Sequence, residues 1–214
     1  AISSLTRAKA AIDNGWFDAE TVPVTVKAGK QEVTVRHDEQ PGKANIDKIP
    51  QLRPAFSAEG TITAANSSSI SDGAAALVLA REAAAKASGL KPIARLRAQA
   101  SHARHPGEFT IAPIGAIEKV LHQTGWSVDD VDLFEINEAF AMVPMLAMQE
   151  LGLSHDKVNI HGGACALGHP VGASGARIIV TLIYALQRLG KQRGIASLCI
   201  GGGEAVAVAL EMID

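Results

Sequence analysis

The alternation of elements from about residue 93 onward constrains this chain most. Ile93 to Ala100 reads as a strand, Ile114, Ile117 and Leu121 mark a helix that ends at Gly125, and Val131 to Ile136 reads as a second strand. A helix over Glu138 to Leu151 and a strand at Val158 to Ile160 follow. The next helix runs from Gly172 to Leu189, with Ile178, Leu182, Leu186 and Leu189 on one face. Two short apolar runs, Ile195 to Ile200 and Ala205 to Met212, close the chain around Gly201, Gly202 and Gly203. The order βαβαβαββ predicts an α/β layered domain.

Before residue 93 the pattern is irregular. An amphipathic helix (Ile2, Leu5, Lys9, Ile12, Trp16) stops at Asn14 and Gly15, a helix-end pair. Valines alternate with polar residues from Val22 to Val35 on both sides of Ala28-Gly29-Lys30, the pattern of a hairpin. Residues 36 to 57 are polar, contain Pro41, Pro50 and Pro54, and read as a surface excursion, so residues 1 to about 60 form one irregular subdomain. From Gly60 the sequence GTITAANSSSISDGAAALVLA joins a β-branched start, a small polar cluster and an Ala-rich apolar run. Amides and hydroxyls from Asn66 to Ser71 suit a polar ligand, but local evidence favours Ser71 and Asp72 as the cap of a helix on a buried segment. A polar helix from Arg81 to Ser88 ends at Gly89.

Composition excludes some functions. A formal charge of -2 argues against nucleic acid as a partner. No apolar run approaches the length of a bilayer span and no signal-peptide pattern opens the chain, so a cytoplasmic protein with no membrane contact is expected. The chain begins at Ala1, directly inside a helical pattern, as a processed or cut piece would. Two cysteines, Cys165 and Cys199, are too few for a disulfide framework.

The reactive features gather in and around Asn159 to Arg177, NIHGGACALGHPVGASGAR, where Gly, Ala and Ser let backbone approach a ligand and His169 interrupts them. The stretch is a strand-to-helix turn, where α/β proteins place ligands. Asn137 and Cys199 also stand at strand ends, so the three side chains are expected to converge on one sheet edge. Bland readings stand beside these: Asn137 capping a helix, Cys199 as a small core hydrophobe. His161, Cys165 and His169 are spaced by four, as metal ligands on a helix would be. Gly162, Gly163, Gly168 and Pro170 argue against a helix there, and paired CxxC or HExxH spacing is lacking, so no metal is expected. Neither GxGxxG nor GxxxxGK[ST] occurs. A Cys-His pair with an Asn suggests acyl chemistry.

Three segments carry a resemblance. NEAFA (137 to 141), GGACALGHPVGASGAR (162 to 177) and CIGGGEAVA (199 to 207) resemble the C-terminal signatures of the thiolases, and TITAANSSSISDGAAA (61 to 76) is similar to the segment leading out of that family's loop domain. The short-chain acetyl-CoA acetyltransferases are closest in character. The resemblance implies a thiolase-like layered α/β domain, a mixed five-stranded sheet covered by helices, plus an irregular loop subdomain. Residues 1-64 would be the latter part of the loop domain, 65-92 the last helix and strand of the N-terminal domain, and 93-214 the C-terminal domain.

It also implies roles. His169 would take the proton of a nucleophilic thiol and hydrogen-bond the thioester oxygen of an enolate. Cys199 would move the α-proton as an acid/base tuned near operating pH. Asn137 would hold a water that with His169 makes one oxyanion hole, and the amide of Gly201 would help make a second. Ser68 would touch the pantetheine of CoA, Phe140 would line its channel, and Phe109, where Met is frequent, would favour short unbranched acyl chains. His161 stands where many relatives have Asn. Substrates would be CoA thioesters (acetyl-CoA and acetoacetyl-CoA), with no resident cofactor. The nucleophilic cysteine would lie in a complementary N-terminal half, and the assembly would be a homo-oligomer, a dimer or tetramer. Rival expectations are a non-catalytic acyl-CoA-binding remnant and a thioesterase with Cys199 as nucleophile.

Overall fold

The computed structural model describes residues 1 to 213. Four strands make the main sheet: β3 (Ala94–Ala103), β4 (Leu133–Ile136), β5 (Arg193–Cys199) and β6 (Glu204–Met212), ordered β3-β6-β5-β4. β4 runs parallel to β5, while β5, β6 and β3 are successively antiparallel, so the sheet is mixed. The tight Gly201–Gly203 turn closes β5 onto β6; at Gly203, φ is 101° and an added Cβ would lie 2.5 Å from the Arg104 carbonyl oxygen.

Helices cover both faces. α4 (Ala112–Thr124) and α5 (Met142–Leu151) lie on one, where Ile117, Val120 and Val143 meet Phe134, Ile136, Ile195 and the small Ala205, Ala207 and Ala209. α7 (Ser174–Leu189) lies on the other, pressing Ile178, Leu182, Ile183 and Leu186 against Leu133, Ala196 and Leu210. The expected apolar stripe of α7 is therefore its core face, except that Leu189 at its end is 42% exposed. Each fully buried aliphatic side chain there contributes roughly 1.5–3 kcal/mol.

The first 92 residues follow the expected outline with differences. α1 (Ile2–Asp13) ends at Asn14, and Gly15 takes the left-handed conformation that terminates it. β1 (Val24–Ala28) and β2 (Gln31–Val35) form the hairpin. Residues 36 to 57 are not structureless: they hold α2 (Glu39–Lys43) and a 3-10 turn over Ile46–Gln51. Asn45 caps that turn by accepting from the Asp47 amide. The helix expected to be capped at Ser71 and Asp72 does not form. Residues 72 to 80 lie outside any helix or strand: Leu77 packs on the α7-side core, while Val78 is 94% and Leu79 74% exposed. α3 (Glu82–Ala87) follows.

Three boundaries within 93 to 213 also differ. The fifth strand, expected at Val158 to Ile160, is reduced to a parallel bridge between Val158 and Phe134. α5 begins at Met142 rather than Glu138, because backbone at 139 and 141 pairs with residues 66 to 68 instead: Ser68 N–H donates to the Ala139 carbonyl and Ala141 N–H to that of Asn66. One helical turn, α6 (Ala164–Leu167), forms inside the Gly-rich stretch where no helix was expected; the flanking glycines confine it to four residues.

Candidate active site

The site is assembled at the C-terminal end of the β4–β5 pair. Ile136 is in register with Ser197, so Asn137 and Cys199 leave the sheet at the same end, and the Asn137 amide donates to the Ser197 carbonyl at 2.9 Å. Asn159 fixes that exit. It is the one non-glycine with positive φ (48°) among the described residues, and its side chain pairs with the backbone of Ile136 in both directions, each bond 2.8 Å. Asn tolerates this conformation better than most residues.

Asn137 does not cap a helix. Its Nδ2 lies 3.2 Å from Nε2 of His169, joining two of the three expected residues. On the far side of the ring Nδ1 lies 2.6 Å from Oγ of Ser174, whose single hydrogen is directed to the Pro170 carbonyl at 3.1 Å. Ser174 therefore accepts from Nδ1–H, and the Asn137 amide donates to a bare Nε2. This assigns the neutral tautomer with its lone pair at Nε2. Burial, reinforced by the Arg177 guanidinium, holds the imidazole below its ordinary value, so it is neutral and ready to accept a proton near pH 7.

Cys199 is buried at 7% exposure at the end of β5, in register with Ala205 across the hairpin. Burial pushes its thiol up to about 11, so the expectation of a thiol near operating pH is corrected: with no cation beside it among the described residues, desolvation favours the protonated acid. Cys165 is also pushed above the usual thiol range by burial and by Glu138. Neither thiol is activated as a nucleophile.

Phe140 and Phe109 lie together, rings tilted at 6.2 Å between centroids, and Ser67 bridges to Phe140. Ser68, next along, uses both its N–H and its hydroxyl on the Ala139 carbonyl, at 3.1 and 3.0 Å, so its hydroxyl is committed to backbone. Gly201 is exposed in the β5–β6 turn, and no intrachain bond to its N–H is found among the described residues, leaving that donor available. His161 is elsewhere: it is 1% exposed in the seam between α1 and α7, with Nε2 2.7 Å from the Arg188 guanidinium and Trp16 and Phe17 against its ring. Among the described residues no group of three His, Cys, Asp or Glu side chains is arranged to hold a metal.

Sequence reasoning missed Ser174, which fixes the tautomer, and Glu138, which ties the two loops together. The Glu138 carboxylate, 6% exposed, accepts from Ser4 Oγ at 2.7 Å, from the Cys165 amide at 3.0 Å and from Asn159 Nδ2 at 3.3 Å. Acid following Asn at a strand end was the only signal, and it reads equally as a solvated helix start.

Comparison with known proteins agrees with this geometry. A family model described as "Thiolase, C-terminal domain" matches residues 90–212, and one described as "Thiolase, N-terminal domain" matches residues 1–83. The chain belongs to the thiolase family. It is 47% identical over 216 residues to a thiolase relative from Escherichia coli, an acetyl-CoA acetyltransferase, covering 100% of this chain and 55% of that protein. It is also 47% identical over 214 residues to the cytosolic acetyl-CoA acetyltransferase of Mus musculus, covering 99% and 54%. Among solved structures, the Bacillus anthracis acetyl-CoA acetyltransferase superposes with a TM-score of 0.95 at 44% identity, and human mitochondrial 3-ketoacyl-CoA thiolase with 0.91 at 38%. Each match covers 99% of this chain and 54% of the other. The chain thus spans about half the length of the thiolases it matches, within a fold that is the thiolase α/β architecture with a mixed sheet.

Proposed function

We propose that this chain carries the base, the proton donor and the oxyanion groups of an acetyl-CoA C-acetyltransferase, with the nucleophilic cysteine supplied from outside these 214 residues. The observation that carries the reading is the Asn137–His169 pair, with Nδ1 tied to Ser174 and the Nε2 lone pair accepting from Asn137 Nδ2. In the cleavage direction, Nε2 takes the proton of the nucleophilic thiol, whose sulfur bonds to the ketone carbon of acetoacetyl-CoA. The Gly201 amide stabilises the resulting oxyanion. Collapse breaks the carbon–carbon bond, leaving an acetyl group on the sulfur and the electron pair on the departing enolate. The Nε2–H just formed, together with a water held by Asn137, donates to the enolate's thioester oxygen, and Cys199 gives its thiol proton to the α-carbon. After acetyl-CoA leaves, CoA gives its thiol proton to Cys199, and its sulfur takes the acetyl group as the nucleophilic sulfur departs and recovers its proton from Nε2. A thiol held protonated by burial suits the donor's step.

Supporting the division of the chain, the two family matches meet between residues 83 and 90, near the proposed start of the C-terminal domain at 93. The exposed run at Val78 and Leu79 suits a partner surface on the complementary N-terminal half. Ser68 lies along the pantetheine, Phe140 lines its channel, and Phe109 bounds the acyl end, restricting it to short unbranched chains. A homo-oligomer in the cytoplasm completes the reading; no helix among the described residues is long and apolar enough to cross a membrane, and the mouse relative is named cytosolic.

The test is CoA-dependent loss of acetoacetyl-CoA by this chain, alone and together with an N-terminal thiolase segment bearing the nucleophile. Turnover is expected only in the combination, lost in His169→Ala and Cys199→Ala. Turnover by the chain alone with acyl label on Cys199 overturns the assignment in favour of a thioesterase. Faster turnover of longer 3-ketoacyl-CoAs overturns the role of Phe109.

A further inference from the structure

Segment 66–73 runs between the two loops that carry Asn137 and His169. Its first half is bound to residues 139 and 141 through the Asn66 carbonyl and the Ser68 N–H and hydroxyl. Its second half lies along the histidine loop: the His169 amide donates to the Ser69 carbonyl at 3.0 Å and Ile70 forms a parallel bridge with His169. Side chains press in as well. A Cβ added at Gly168 would fall on the Ser71 hydroxyl, and one added at Gly73 would lie 2.7 Å from Pro170. The spacing of Asn137 from Nε2 therefore depends on where this segment sits.

Among the described residues, one hydrogen-bonding side chain from the irregular subdomain reaches its second half. Gln40, in α2, directs its Nε2 to the hydroxyl of Ser69 and, at 3.3 Å, to that of Ser71. The two hydroxyls are 2.8 Å apart, and Ser71 Oγ is 3.4 Å from the same Ser69 carbonyl that receives the His169 amide. Pro41, next to Gln40, is buried, which fixes α2 in place. An amide nitrogen has two hydrogens, one for each serine.

We propose that Gln40 is a positioning residue for His169, acting through Ser69 and Ser71 to set the imidazole against Asn137. This rests on the thiolase reading only for its catalytic consequence. The contact itself predicts a change at the ring whatever the reaction. Losing the Gln40 donor leaves two part-buried hydroxyls to re-pair, and the backbone acceptor of the His169 amide shifts with them. Displacements of this size at a catalytic group lower the rate more than they weaken binding.

The experiment follows the ring resonances of His169 in this chain through a pH titration, in the parent, Gln40→Leu and Ser69→Ala, with Gln51→Leu as control. Gln51 bonds only the Asp47 carbonyl in the exposed 3-10 turn, so it reports general loosening of the subdomain. In Gln40→Leu the His169 midpoint is expected to rise by about half a unit as water reaches the ring, with the Asn137 amide resonances moving alongside. Ser69→Ala, which deletes one oxygen and leaves the backbone intact, reproduces the shift if Gln40→Leu fails to fold. In the complemented enzyme kcat falls about tenfold with KM nearly unchanged. His169 and Asn137 resonances in a folded Gln40→Leu or in Ser69→Ala that match the parent, or that move no more than in Gln51→Leu, overturn the proposal. If the complemented parent has no turnover, the thiolase reading fails and the ring titration alone decides the role of Gln40.

Discussion

Replacing Glu138 by Gln tests the junction between the two loops most directly. The buried carboxylate makes three hydrogen bonds and, among the described residues, has no cation within ion-pair distance. In the variant the amide oxygen serves Ser4 Oγ and the Cys165 amide, because the alternative orientation orphans a buried backbone N–H. The amide nitrogen then faces Asn159 Nδ2, donor against donor. The bonds that remain become neutral, about 1 kcal/mol each instead of roughly 1.5–3, and the orphaned donors cost about 1–3 kcal/mol. Relief from burying a charge offsets part of this. The net loss is expected to be about 1–3 kcal/mol, read from urea unfolding followed by tryptophan fluorescence, with m unchanged. Glu138→Ala, which orphans all three donors and leaves a cavity, should cost about 3–5 kcal/mol. A Glu138→Gln chain as stable as the parent would refute the reasoning, since desolvation of the carboxylate would then outweigh its three bonds.

Stability should also depend on pH with opposite signs at two places. Burial raises Glu20 to about 7 and Glu135 to about 8, against the Arg177 guanidinium. The contribution of each is full below the ordinary carboxylate value and lost as pH rises through the raised one, so Glu20→Gln should flatten the fall in Tm between about pH 5 and 8. His161, lowered to about 4 by burial and by Arg188, contributes above its ordinary value and loses that contribution as pH falls; His161→Phe should remove this acid-side loss. Gly162→Ala should cost several kcal/mol by the same unfolding measurement, because φ is 81° and the new Cβ would meet the Ser4 carbonyl oxygen at 2.5 Å, whereas Gly172→Ala should be nearly neutral. Val78→Asp with Leu79→Asp should lower dye binding and light scattering of the isolated chain without lowering its Tm, since both side chains are exposed.

Much of the layered domain was legible because its signals are local. The α7 stripe, the left-handed Gly125 and Gly190 that end helices, and the glycine turn between β5 and β6 each follow from residues within a few positions of one another. His169 was legible for the same reason, an imidazole interrupting small residues. What the alternation left open was decided at a distance. Helix propensity at 138 to 141 yielded to pairing with residues 66 to 68, some 70 positions away, and the run expected to be helical near 72 lies outside any helix or strand. The tautomer of His169 depends on a rotamer of Ser174. The raised value of Cys199 depends on how completely the sheet end is covered. Periodicity, caps and motif spacing are properties of short windows, so the sequence by itself determined the elements, their order and the residues offered for chemistry. Burial and hydrogen bonding between segments 130 to 160 residues apart, as when Ser4 reaches Glu138 and Gly163, exist only in the folded chain, and they decided which offered groups are buried, hydrogen-bonded and brought together.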